Sequence, residues 1–258
     1  AEEAAADRRV GGRRPKLGRQ PAELRLARDQ LLRRNGPALH RHHTDGMAGP
    51  TQADLVAILR AEGIADERVL AAFDAVPRAG FVPADLGGRA YLDEPLPIPH
   101  GQVTTQPSLV ARMIEGLALT GSERVLEIGA GHGFQTAVLA RLANFVWSIE
   151  RWEDLARTAR DNLRRHGVEN VEVVVGDGSE GLAEQAPFEA IIVSAAFPRV
   201  PGPLADQVAD GGRLVQPVGP GGREEVVLFE RGRRGLERRR TLTGAHFVRL
   251  YGRHGFGA

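Results

Sequence analysis

With 258 residues, 42% of them hydrophobic and 26% charged, the chain is long enough for one large domain with its own core and has an ordinary globular make-up. A formal charge of +1, concentrated as a basic head on a mildly acidic body, argues against nucleic acid as the main partner, and no apolar run reaches the length of a membrane span. The absence of cysteine excludes disulfides, thiol nucleophiles and thiolate metal sites, and fits a cytoplasmic protein.

Residues 1–46 are Arg-rich, poor in large apolar residues and punctuated by Gly11-Gly12, Pro15, Pro21 and Gly36-Pro37. Only Glu23 to Arg34 has a loose helical stripe, so a mostly disordered head is expected. His40-Arg41-His42-His43 lacks partner ligands nearby and reads as solvated residues, not as a metal site. The functional domain is expected to begin near Met47. Its first portion, 47–120, reads as a helical cap with a substrate loop: Leu55, Val56, Ile58 and Leu59 predict a helix stopped near Gly63, and Val69, Leu70 and Phe73 a second one stopped by Pro77. Leu96 to Pro107 reads as a rigid loop. Pro107 is well placed to open the next helix, which carries Leu109, Val110, Met113, Ile114 and Leu117.

The sheet portion, 121–258, begins with the most informative stretch. The apolar run from Val125 leads through Leu126-Glu127-Ile128-Gly129-Ala130-Gly131-His132-Gly133-Phe134-Gln135 into a helix-forming segment around Thr136–Arg141. Strand, Gly-rich turn and helix in that order form a nucleotide-type cofactor site, because small residues let the backbone approach a ligand at the amide end of a helix. A dinucleotide site wants glycine where Phe134 stands. The pattern E-x-G-x-G-x-G, with Glu127 suited to a cationic amino-acid end and Glu150 ending the next apolar run where it can accept from both ribose hydroxyls, favours S-adenosylmethionine (SAM). A further acid follows in Gly176-Asp177-Gly178.

Beyond the turn, strands are predicted at Phe145–Ile149, Val171–Val175, Ala190–Val193 and Arg213–Val218. Helices carry Leu155, Ala159 and Leu163, and surround Leu204–Val208. The last strands are read at Glu225–Glu230 and His246–Leu250. The fold class is therefore α/β: a doubly wound, mostly parallel sheet of the Rossmann-like methyltransferase type, with a helical cap before it and an antiparallel end.

From about Thr51 to Gly252 the chain resembles the protein-L-isoaspartate O-methyltransferase family. The carrying residues are Ile64 to Leu70, Val76-Pro77-Arg78 with Phe81-Val82-Pro83, and Gly101-Gln102-Val103-Thr104-Thr105-Gln106-Pro107. They continue with Val125 to Gln135, Ser148 to Arg151, Gly176 to Gly178, Pro187 to Val193 and Gly211 to Val215. The resemblance implies SAM-dependent methylation of the free carboxylate of L-isoaspartyl residues in damaged proteins and peptides. It implies Thr105 as the catalytic hydroxyl, and Glu127, Gly129, Gly131, Gly133, Gln135, Glu150, Asp177 and Gly178 as cofactor contacts. Substrate contacts would be Thr104, Gln106, Ala195, Ala196, Val248 and Arg249, with no metal, and the expected protein is a cytoplasmic monomer acting on isoaspartyl proteins, away from nucleic acid and membranes. This chain has Thr105 where the family has Ser, Val103 for an earlier Thr and Arg249 for a Pro; Phe197 also departs from the family pattern. Two other readings are carried forward, a biosynthetic enzyme esterifying an Asp of one dedicated peptide and a catalytically silent SAM-binding module. A substrate carboxylate is expected to rest on the amide end of the helix opened by Pro107 with the Thr105 hydroxyl as donor, the alternative being that Thr105 only caps that helix.

Overall fold

The computed structural model describes residues 49–257, Gly221 excepted. The head at 1–46, with its helical stripe and histidine cluster, lies outside the described residues. Helix α1 (Gln52–Ala61) starts at Thr51, whose hydroxyl accepts from the Asp54 amide while the Asp54 carboxylate accepts from the Thr51 N–H; this reciprocal box satisfies two orphan donors. Helix α2 (Glu67–Ala75) starts at Asp66, whose carboxylate accepts the Arg68 N–H, and ends before Pro77 as the sequence predicts. Gln52 ties the two together by donating to the Asp74 and Val76 carbonyls at the end of α2, and Leu55, Leu59, Val69, Leu70 and Phe73 are buried in one cluster.

Leu96 to Thr104, read from sequence as loop, is a small antiparallel hairpin of β1 (Leu96–Ile98) and β2 (Gln102–Thr104) around a turn at Pro99–Gly101. His100 sits in the left-handed region at φ 60°. Helix α3 (Pro107–Leu117) follows, with Pro107 at its start and Val110, Met113, Ile114 and Leu117 buried.

The main sheet comprises β3 (Arg124–Ile128), β4 (Phe145–Glu150), β5 (Val171–Val175), β6 (Phe188–Val193), β7 (Val208–Val218), β8 (Glu224–Gly232) and β9 (Gly235–Ala245) in the order β5-β4-β3-β6-β7-β8-β9. β3 to β7 are parallel, and β8 and β9 are antiparallel. Helices α4 (Phe134–Ala140) and α5 (Glu153–Arg165) join α1 to α3 in one core cluster with Val125, Val146, Ile192 and Val215. The alternate residues Leu126, Ile149, Ile191 and Leu214 form a second cluster, to which α6 (Gly202–Asp206) contributes Leu204. Strand alternation thus feeds two cores, and the longer helices serve only one of them.

Two sequence expectations need correction. β7 begins at Val208, not Arg213, and continues through Gly211-Gly212 by shifting register against β6 between Phe188 and Ala190. Gly211 has φ 75°, and a Cβ on Gly212 would lie 2.8 Å from the Ala209 oxygen, so both glycines serve the irregularity inside the strand. The final strand is β9, not His246–Leu250. β9 is an edge strand whose Glu237-Arg238-Arg239-Arg240 run hides its alternation, whereas in the 246–250 segment Arg249 makes one isolated parallel bridge to Ala196.

Candidate active site

β3 lies between β4 and β6, so connections leave it in opposite directions, and the crevice past the carboxyl ends of such strands is where open α/β sheets bind ligands. The cleft there brings together Gly129, Ala130 and Gly131, Gln135 of α4, Glu150 at the end of β4 and Ser194 after β6. Ile98, Gln102, Val103 and Thr104 of the hairpin, Thr105, Val110, His132, Phe134, Leu155 and Val248 also line it. Gly129, Gly131 and Gly133 have φ of 97°, 55° and 91°, a run of left-handed conformations that side chains would strain. Gly133 is further constrained by packing, since a Cβ there would lie 3.3 Å from Leu163 and 3.4 Å from Ala159 of α5.

Glu150 lines the cleft and also shapes it. One carboxylate oxygen accepts the Gly131 N–H at 2.9 Å and the other the Trp152 N–H at 3.1 Å. Burial pushes its pKa up and these backbone donors pull it back, leaving it raised. Glu127, by contrast, does not reach the cleft. It is fully buried, accepts from Gln135 Nε2 at 2.9 Å, from the Thr136 hydroxyl and from the Ser148 hydroxyl at 2.6 Å, and burial raises its pKa to about 7. Gln135 stands between it and the cleft, and its Nε2 also donates to Ser194 Oγ at 3.0 Å. With both Nε2 partners fixed, the buried Gln135 Oε1 is left without a hydrogen-bond partner at the cleft. An acceptor without a partner, beside a carboxylate and a glycine cradle, fits the ammonium end and ribose of SAM.

Asp177 and Gly178 stand apart from this lining. Burial pulls the Asp177 carboxyl up, but the Arg253 amide, the Ser179 hydroxyl and the Ser179 amide outweigh it and hold it below its ordinary value. Those contacts dock the chain's last residues on the end of β5. A Cβ on Gly178 would lie 2.3 Å from Ile128 Cγ2, so glycine there answers a packing need.

Around Thr105 the structure departs from the expected arrangement. The amide end of α3 is taken: Asp93 accepts the Ser108 N–H at 2.8 Å and Gln106 Nε2 at 2.8 Å, while Leu109 and Val110 donate to the Gln106 carbonyl. A substrate carboxylate therefore finds neither free amides nor a favourable field there, because a carboxylate already occupies the position. Thr105 does not cap the helix, lines the cleft and makes no side-chain hydrogen bond among the described residues. The Thr104 hydroxyl turns away and accepts from Arg78 at 2.9 Å, and Gln106 is held by Asp93 and Ser108. Val248 lines the cleft. Ala196 donates to its carbonyl at 2.7 Å with Ala195 just before, and exposed Arg249 stacks over Phe256 instead of entering.

Arg78 is the residue whose importance the motif Val76-Pro77-Arg78 did not disclose. Its fully buried guanidinium donates to the carbonyls of Ala90, Leu92 and Glu94 at 3.0 Å, to the Thr104 hydroxyl and, at 3.4 Å, to the Thr105 carbonyl. Burial lowers its pKa to about 10, which still leaves it cationic at neutral pH. It cross-links the loop before the hairpin to the backbone of Thr105. At the hairpin tip, His100 stacks on Trp152 at 4.0 Å and lies 2.8 Å from the Asp154 carboxylate, fastening the hairpin to the start of α5.

A model of the protein-L-isoaspartate(D-aspartate) O-methyltransferase family matches residues 50–255. A relative from Methanoculleus marisnigri is 50% identical over 198 residues, covering 77% of this chain and 90% of its own. One from Anaeromyxobacter dehalogenans is 50% identical over 199, covering 76% and 95%. Both are named protein-L-isoaspartate O-methyltransferase. A solved structure of that name aligns at TM-score 0.69 and 29% identity over 80% of this chain and 67% of its own. A Plasmodium falciparum structure with S-adenosyl-L-homocysteine aligns at TM-score 0.66 and 23% identity over 78% and 99%, a likeness of fold alone.

Proposed function

The chain belongs to the protein-L-isoaspartate(D-aspartate) O-methyltransferase family, and from that premise we propose how its cleft divides the work. The enzyme uses SAM to methylate the free carboxylate of L-isoaspartyl residues in damaged proteins and peptides, a repair function. The observation that supports assigning this chemistry to the cleft is that Thr105, the glycine turn, Gln135 and Glu150 line one space. SAM, when bound, supplies an electrophilic methyl group on a sulfonium.

An isoaspartyl carboxylate, with an ordinary pKa near ~4, is already ionised at neutral pH and needs no general base. The protein's task is alignment and removal of water. Glu150 would accept from the ribose hydroxyls and Gln135 Oε1 from the ammonium group, with the glycine turn leaving room for the backbone to approach between them. Thr105 donates its hydroxyl to the acceptor carboxylate. Glu127 is a positioning residue that acts through Gln135, and Arg78 positions Thr105 through the backbone. Asp177 and Gly178 support the end of β5 from outside the cleft, and Ala195, Ala196 and Val248 flank the substrate chain. No observation favours the dedicated-peptide or the silent reading.

The domain boundary is placed at 46/47, with 47–120 as cap and 121–258 as cofactor domain. The enzyme acts as a cytoplasmic monomer, without nucleic acid. Among the described residues no helix is long and apolar enough to cross a membrane. Incubation with labelled SAM and an aged protein tests the reading: base-labile label should map to isoaspartyl sites on peptide mapping. Label confined to ordinary Asp residues would overturn it.

A further inference from the structure

The segment after β9 carries an arrangement that methyl transfer alone leaves unused. Ala196 donates to Val248 and accepts from the Leu250 N–H at 2.8 Å, which fixes Arg249 next to a residue lining the cleft. The Arg249 guanidinium lies 5.1 Å over the Phe256 ring, and Phe256 meets Phe197 edge-on at 5.1 Å. Arg199 lies 5.4 Å over that Phe197 ring. Phe256 also approaches Tyr251 at 6.4 Å, and Arg151, immediately after Glu150, lies 5.2 Å over Tyr251 and 5.0 Å over Trp152.

Three exposed guanidiniums therefore rest on aromatic rings, two of them in segments that adjoin the cleft-lining residues Glu150 and Val248. Among the described residues none of the three forms an ion pair, whereas neighbouring Arg253 pairs with Glu180, and Arg238 and Arg239 pair with glutamates on β8 and β9. A guanidinium lying on a ring keeps its N–H groups directed outward and loses little freedom when a carboxylate binds. Packing alone explains each stack. It does not explain why three cations without an ion-pair partner gather on linked aromatic rings in chain segments beside Glu150 and Val248.

We propose that Arg151, Arg199 and Arg249 form a cationic collar that recognises acidic residues flanking the isoaspartyl position, so that the enzyme favours isoaspartyl sites in acidic segments. The inference rests on the methyl-transfer reading above. Each contact is solvent-exposed and individually weak, so the effect comes from several together and is screened by salt.

The test uses isoaspartyl peptides of one length whose flanking residues are Glu, Gln or Lys. At low salt the wild-type enzyme should prefer the Glu-flanked peptide to the Gln-flanked one by about tenfold in kcat/KM, chiefly through KM. The Lys-flanked peptide should be poorest, and the preferences should shrink as salt rises. In the R199Q/R249Q variant, shown by calorimetry to bind SAM, the Glu-to-Gln ratio should fall toward one. Equal wild-type use of the Glu and Gln peptides would overturn the collar without any variant. So would an equal loss on both peptides in the variant, which is what a structural role produces. If wild type methylates none of the peptides, the methyl-transfer reading fails first and the collar with it.

Discussion

Thr105 has no cap to serve, because Asp93 has taken the amide it would have used. Thr105→Val should therefore cut turnover of isoaspartyl peptide roughly tenfold or more, about 1.4 kcal/mol in the barrier, with little change in unfolding free energy. Thr105→Ser keeps the donor and should retain or raise turnover; a Val variant that is unstable yet turns over at the wild-type rate would remove Thr105 from the chemistry. The two glutamates separate in the same way. Glu150→Ala should weaken SAM binding by roughly 1.5–3 kcal/mol in calorimetry, the range for hydrogen bonds to a charged acceptor. Unchanged affinity in a folded variant would remove it from the cofactor site. Glu127 shows itself in the pH dependence of stability. Burial raises its folded-state pKa from 4.5 to about 7, so between those values the native state holds the proton more tightly than the unfolded chain, and stability falls as pH rises through that window. Glu127→Gln lacks this fall. Urea unfolding should show the variant gaining on wild type between pH 5 and 8 by on the order of a few kcal/mol, and a pH-independent gap would mean that Glu127 titrates normally.

At the scale of elements, α3 depends on a residue far from it in sequence. Asp93→Ala removes its N-terminal cap and should cost about 0.5–2 kcal/mol in urea unfolding, with Asp93→Asn milder because it keeps one acceptor oxygen. Equal stability of wild type and Asp93→Ala would show that α3 needs no cap. The elements themselves were mostly legible: α1, α2, α3 and the strands from β3 to β6 follow apolar periodicity and Gly or Pro punctuation. β9 was not, because one edge of the sheet is solvated and its Arg238-Arg239-Arg240 run reads as coil. The hairpin was not, because three-residue strands with prolines at 97 and 99 carry no period. The site was legible where a motif makes backbone geometry, as at Gly129 and Gly131, and at Glu150, whose place at the end of a strand aims it at the cleft. It was not legible where direction or burial decides. Nothing in Glu127 or Asp177 as letters says that one is sealed behind Gln135 and the other turned to the chain's last residues. Likewise, nothing in Val76-Pro77-Arg78 says that the guanidinium is wholly buried.

Across the whole described body, the cleft joins the cap to the sheet. The hairpin and Thr105 come from the cap, the glycine turn, Gln135 and Glu150 from the sheet, and Arg78 and the His100–Trp152 stack hold the halves in register. If the cleft works as proposed, by aligning two charged reactants without a general base, everything depends on the position of the acceptor carboxylate. That claim is tested most directly by labelled methyl transfer from SAM to two peptides identical except for one residue, isoaspartate in one and Asp in the other. Base-labile label is expected on the isoaspartyl peptide and only background on its partner; equal labelling of both, or label on neither from an enzyme that demonstrably binds SAM, would contradict that claim.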